Sequence, residues 1–194
     1  MSTHRGMIMG PLALALAAAI PASASAQSEF YAEAPPFTIH SERESHACSM
    51  ANSWQHRDAG TIMLIVLESG EGEDEFSSIA FTIEESRKPA GESGTQDLAI
   101  YFLDNDGVEI DAGWGEREFI YQPDGELGKG HLFLFNFYGD QNRTQAMADI
   151  SNSKAVSFYM DGELLAAMPL EGAGPAVELL KECAANLTTP QDGT

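Results

Sequence analysis

The sequence predicts a mainly β domain, an antiparallel sandwich or bent sheet, with a C-terminal amphipathic helix packed on it. Three observations predict it. Apolar and polar residues alternate in short runs over most of the chain, which is the period-two pattern of half-buried strands. Turn residues join those runs at short intervals, so antiparallel pairing is expected instead of alternating βαβ units. Only near the end does the period change to that of a helix with one apolar stripe.

Residues 1–26 stand apart from this pattern. His4 and Arg5 precede an Ala- and Leu-rich stretch from Met7 to Ile20, Pro21 ends it, and Ala24-Ser25-Ala26 offers small residues where a signal peptidase reads them. A signal peptide over 1–26, cleaved before Gln27, is the expectation. Its apolar core is short for a membrane span, and no membrane insertion is expected after cleavage. Residues 27–36 are polar and interrupted by proline, a flexible lead-in. A single β-rich domain is expected over 37–188, with a disordered polar tail over 189–194.

Within the domain, Phe37-Thr38-Ile39 is a short strand. Thr61–Leu67, "TIMLIVL", is apolar on both faces and reads as a central strand bounded by Gly60 and Gly70. Ser78–Glu84 puts Ile79, Phe81 and Ile83 on one side. Asp97–Leu103 is rich in aromatic and aliphatic residues, and "DNDG" at 104–107 turns the chain into a short strand at Val108–Ile110. Arg117–Gln122 is a further strand, ended by the Pro123-Asp124-Gly125 turn. His131–Tyr138, "HLFLFNFY", has Phe133, Phe135 and Phe137 on one face and leucines on the other. Asn142–Ile150 suits a short helix. Lys154–Met160 and Glu163–Met168, joined by Asp161-Gly162, form the clearest hairpin. Of these nine candidate strand segments, six to eight are expected as strands of the sheet.

The closing helix follows Gly174, with Pro175 in its first turn. At 100° per residue, Ala176, Val177, Leu179, Leu180, Cys183, Ala184 and Leu187 share one stripe, and Glu178, Lys181, Glu182 and Asn186 take the other side. Cys183 therefore faces the protein. The only other cysteine is Cys48. In an exported chain two cysteines point to one disulfide, which would close nearly the whole domain into a loop.

Thirty acidic residues oppose ten basic ones, a formal net charge of −20. Such a surface repels nucleic acid and anionic lipid headgroups, so neither is an expected partner. The acids are scattered over almost every loop, and the dense run at 71–75 reads as a solvated loop.

The chemical motifs are sparse. "DNDGVEID" resembles part of an EF-hand loop, but with Gly107 at the sixth position the first falls on Phe102 and the twelfth on Gly113, where acids are required. The hairpin turn is the better reading, with Asp104, Asp106 and Asp111 left as adventitious calcium contacts. His46, Cys48 and His56 carry ligand types that suit zinc or copper, but their spacing matches no metal motif and a disulfide removes the thiol. His46 and His56 thus stand as the metal candidates of a chain for which no metal and no cofactor is expected. There is no G-x-S-x-G elbow, no S-x-x-K and no glycine-rich phosphate loop. His131 opens a hydrophobic strand, where packing is its ordinary role. Trp54 and Trp114 lie in polar or Gly-flanked stretches and are the candidate ligand-facing aromatics.

"HACSM" near the start, "AVSFYMDGELLAAMPLEG" near the end and the closing "GAGPAVELLKEC" carry a resemblance. In these the chain resembles small exported proteobacterial proteins of the invasion-associated locus B type. The resemblance covers about forty C-terminal residues and the first cysteine region. It implies a small periplasmic, β-rich, non-enzymatic envelope protein, and it carries no active-site residues over.

The functional expectation is an exported, periplasmic or secreted domain, not an enzyme, that acts by binding or by structural presence. Its partner is an unknown envelope protein or small ligand. The competing expectation is a hydrolase or metal-dependent enzyme, which needs His46, His56 or His131 to converge with acids in one cleft.

Overall fold

The computed structural model describes residues 28–42, 45–56, 60–69, 76–84, 92–123 and 130–188. The expected signal segment, the acidic run at 71–75 and the tail at 189–194 lie outside them. The described chain is mainly β: ten strands in one antiparallel sheet, with two helices. β1 (Glu29–Ala34), β2 (Phe37–Glu42), β3 (Ala47–His56), β4 (Gly60–Ser69) and β5 (Phe76–Ile83) form a meander. β6 (Gly94–Leu103), β7 (Glu109–Gln122) and β8 (His131–Tyr138) form a second meander, which joins the first where β8 pairs with β5. Helix α1 (Asp140–Asn152) then carries the chain back to β9 (Ala155–Met160), which lies beside β6, and β10 (Glu163–Pro169) completes the edge. β6 to β9 is thus a Greek key whose long connection is α1.

The sheet folds over on itself. β7 pairs with β8 only where Ile120–Gln122 meets Leu132–Leu134, and the strands part beyond that. The inward side chains of the two halves then meet face to face. Phe81 of β5 stacks on Phe158 of β9 with ring centroids 4.1 Å apart and on Phe133 of β8 at 4.9 Å. Ile79, Phe81 and Ile83 are fully buried, as the alternation in that segment requires.

α2 (Ala173–Thr188) covers β1 to β4 and meets α1. Ala176, Val177, Leu180, Cys183 and Ala184 are buried, with Leu179 and Leu187 packed at the margin. Cys183 bonds to Cys48 of β3, with Cα atoms 6.1 Å apart. Gly172, at φ 85°, starts this helix where a Cβ would lie 2.7 Å from the Pro35 carbonyl oxygen, so the chain needs glycine there.

One rung of the sheet holds both helices. Cys48, Glu68, Ser77 and Phe137 pair in succession across β3, β4, β5 and β8. α2 is bonded to the first of them. α1 is held by Arg143, whose guanidinium donates to Glu68 Oε1 at 2.6 Å and to Ser77 Oγ at 3.3 Å. The Ser77 hydroxyl in turn donates to the other Glu68 oxygen. Both charges are largely buried, and each has its partner in place.

Three expectations change. The segment 27–36, read as a flexible lead-in, contains β1, which pairs with β2 from Glu29↔Ser41 to Ala34↔Phe37. Its two prolines occupy the hairpin turn, where no ladder donor is required. β1 is also tied to α2: the Tyr31 hydroxyl donates to Glu182 and accepts from Asn186 Nδ2 at 2.8 Å. The separate strands at 108–110 and 117–122 are one strand, β7. Gly115, at φ 46°, sits next to a register shift opposite Ile100–Phe102, so the glycines mark a bulge and not a break. β3 comes from a stretch with no clear pattern and brings the strand count to ten.

Candidate functional site

The outer face of β6 carries a concavity among the described residues. β6 alternates strictly: Leu98, Ile100 and Phe102 are buried, while Asp97, Ala99, Tyr101 and Leu103 face outward. β7 and β9 flank it. Ala99 pairs with Glu116 on one side and Tyr159 on the other, so a small residue forms the floor between two larger ones. Tyr101 meets Tyr159 edge-on, with centroids 5.4 Å apart at 88°.

Two turns form the ends of the groove. At one end Asp161 and Gly162 take φ values of 52° and 77°, the paired left-handed conformation of a two-residue hairpin. At the other, Asp104 accepts hydrogen bonds from the backbone N–H of Asp106 at 2.8 Å and of Val108 at 2.9 Å. This Asx turn brings Gly107 and Glu109 to the groove. The resulting space is about 470 Å³, within the range of small-ligand sites. Its described lining contains Asp97, Glu109, Glu116 and Asp161 with the two tyrosines, and no Lys, Arg or His.

The sequence-predicted residues lie elsewhere. Cys48 and Cys183 are disulfide-bonded. Trp114 is not ligand-facing: it is 7 % exposed, packs on Phe137 and Phe102, and donates its indole N–H to Asp149 Oδ2 at 2.7 Å. Asp149 accepts a second hydrogen bond from Gln145 at 2.8 Å within α1, so one carboxylate oxygen ties α1 to β7 and the other is satisfied inside the helix. The flanking glycines suggested exposure, but the indole's partner lies 35 residues away on α1, out of reach of any local pattern. Trp54 is half-buried at the sheet's end, edge-on to Phe37, and lines a second space of about 430 Å³ with Pro35, Pro36 and Pro169.

His46 and His56 do not converge. His46 precedes β3 and His56 ends it, so at about 3.3 Å per residue their backbones stand about 33 Å apart. His131 is on a rung with Ile83, Ile62 and Trp54, at the end of the sheet away from Cys48 and hence from His46. Its Nδ1 is hydrogen-bonded to the Tyr121 hydroxyl at 2.6 Å, and the two rings lie nearly parallel with centroids 5.8 Å apart. Among the described residues no group of three His, Cys, Asp or Glu is placed to hold a metal ion. Asp104, a calcium candidate, uses one carboxylate oxygen to close its own turn. Ser77 lies against a carboxylate and a guanidinium, but it is fully buried, out of reach of a substrate.

No described helix is long and apolar enough to cross a membrane. No family model, curated protein or solved structure matches the chain.

Proposed function

We propose that this chain is an exported, non-enzymatic envelope protein of the periplasm or cell exterior that acts by binding, and that the groove over Ala99 is where it binds. The groove is the observation that carries this reading: a concave site with an aromatic pair and charged ends, built on three hydrogen-bonded strands with a turn at each end. The leader pattern of 1–26 and a disulfide formed by the only two cysteines support the oxidising compartment. The resemblance to the invasion-associated locus B type supports the same assignment. The buried polar groups with chemical potential (Glu68, Ser77, Asp149) hold helices to the sheet, which supports binding over catalysis.

The test is a thermal-shift titration with the low-molecular-weight fraction of the cell's own periplasm. A ligand that binds only the folded chain raises its Tm. The wild-type protein is expected to gain stability and the Ala99→Trp variant, whose groove floor is filled, to gain none. Equal shifts in both, or none in either, would refute the assignment.

A further inference from the structure

The groove has an amphiphilic layout as well as a charge. Along β6 the floor between its ends is Ala99, Tyr101 and Leu103, with Tyr159 beside them, and it offers hydrocarbon and ring faces. The carboxylates stand towards the two ends. Asp97 begins the run, and Glu116 pairs with Ala99 one rung further on. Glu109 pairs with Leu103 at the far end. Ala99 and Leu103 are four residues apart, so the Glu116 and Glu109 rungs are separated by about 13 Å of strand. Counting from Asp97, the run is about 20 Å long.

A ligand complementary to this surface has positive charge at both ends and an apolar chain between. A compact cation would leave one acidic end unmatched, and a neutral ligand would leave both. Tyrosine faces also attract ammonium groups and pack on methylenes. We propose that the groove takes an extended aliphatic polyamine-type cation, an unbranched hydrocarbon chain with an ammonium group towards each end. This rests on the reading of the groove as the binding site and adds the class of its occupant. The net charge of −20 attracts any cation weakly and everywhere. What the groove adds is a preferred length at constant ligand charge.

Calorimetric titration with two diamines tests it: tetramethylenediamine and decamethylenediamine, both doubly charged. The longer diamine is expected to bind at one site about tenfold or more tighter than the shorter one. Glu109→Gln and Glu116→Gln are each expected to reduce its affinity to that of the shorter one. Glu33→Gln, an equal change of charge at an exposed position on β1, is expected to have no such effect. Affinity independent of length, or an equal loss in the Glu33→Gln variant, would show diffuse attraction and overturn the proposal. If neither diamine binds but Ala99→Trp still abolishes the periplasmic thermal shift, the groove is the binding site and the cation assignment fails. If Ala99→Trp changes neither, both fail.

Discussion

Cutting the covalent link between α2 and β3 has a calculable consequence. The bond joins residues 135 apart in sequence. In the chain-entropy treatment a loop of that order destabilises the unfolded state by about 5 kcal/mol, an upper figure because native strain and residual structure reduce it. For a domain of this size, each kcal/mol moves Tm by about 2–4 °C, so the expected drop is about 10–20 °C. The perturbation is Cys48→Ala with Cys183→Ala, and the reduced wild-type chain serves as the control that keeps both buried sulfurs. The assay is urea unfolding followed by circular dichroism, from which both ΔG and m are read. The cross-linked chain should show the higher stability and the smaller m, because its unfolded state stays more compact. A loss below about 1 kcal/mol with unchanged m would refute the reasoning, since the bond would then not constrain the unfolded chain.

Three further outcomes follow from the packing. Arg143→Met leaves Glu68 as a buried carboxylate without its guanidinium and should cost about 3–5 kcal/mol in urea unfolding, whereas the double variant Arg143→Met/Glu68→Met should recover most of that loss. Trp114→Phe removes the donor to a buried Asp149 oxygen and should cost about 1–3 kcal/mol while leaving diamine affinity unchanged; a variant with full stability and lost binding would restore Trp114 to the ligand site. Phe81→Ala opens a cavity where the two halves of the sheet meet and should cost about 3–5 kcal/mol, read from the same unfolding curves.

Strong local periodicity made most of the fold legible. β4 reads as a continuous apolar run and β5 carries Ile79, Phe81 and Ile83 in alternation, and the Asp161-Gly162 turn defines the β9–β10 hairpin without tertiary help. The helical wheel turned Cys183 inward, and it is there that the bond to Cys48 forms. β3 was not legible, because its inward positions are Cys48, Met50, Asn52 and Trp54, a mixture that no period-two count distinguishes from a loop. Its strand state is enforced by ten successive pairings with β4. β1 was hidden by its prolines, which read as disorder until β2 and α2 supply the partners.

The groove was illegible for a topological reason. Its three strands are consecutive in space as β7, β6 and β9, but α1 and β8 separate them in sequence. Asp97, Glu116 and Tyr159 each read as an ordinary solvent-facing position of its own strand. Only the Greek-key return of β9 to β6 places them around Ala99. Trp114 drew attention instead because its neighbours looked exposed, a local signal that a distant aspartate overrides.

The five tyrosines provide the most direct test of the central claim that ligand binds over Ala99. Tyr101 and Tyr159 line the groove, Tyr121 is buried against His131, Tyr31 is hydrogen-bonded to α2, and Tyr138 ends β8. With ring-labelled tyrosine, two-dimensional NMR during titration with decamethylenediamine should shift the Tyr101 and Tyr159 signals together, to one-to-one saturation, while the other three stay fixed. Shifts spread over all five, or fixed Tyr101 and Tyr159 signals while ligand binds, would contradict the account.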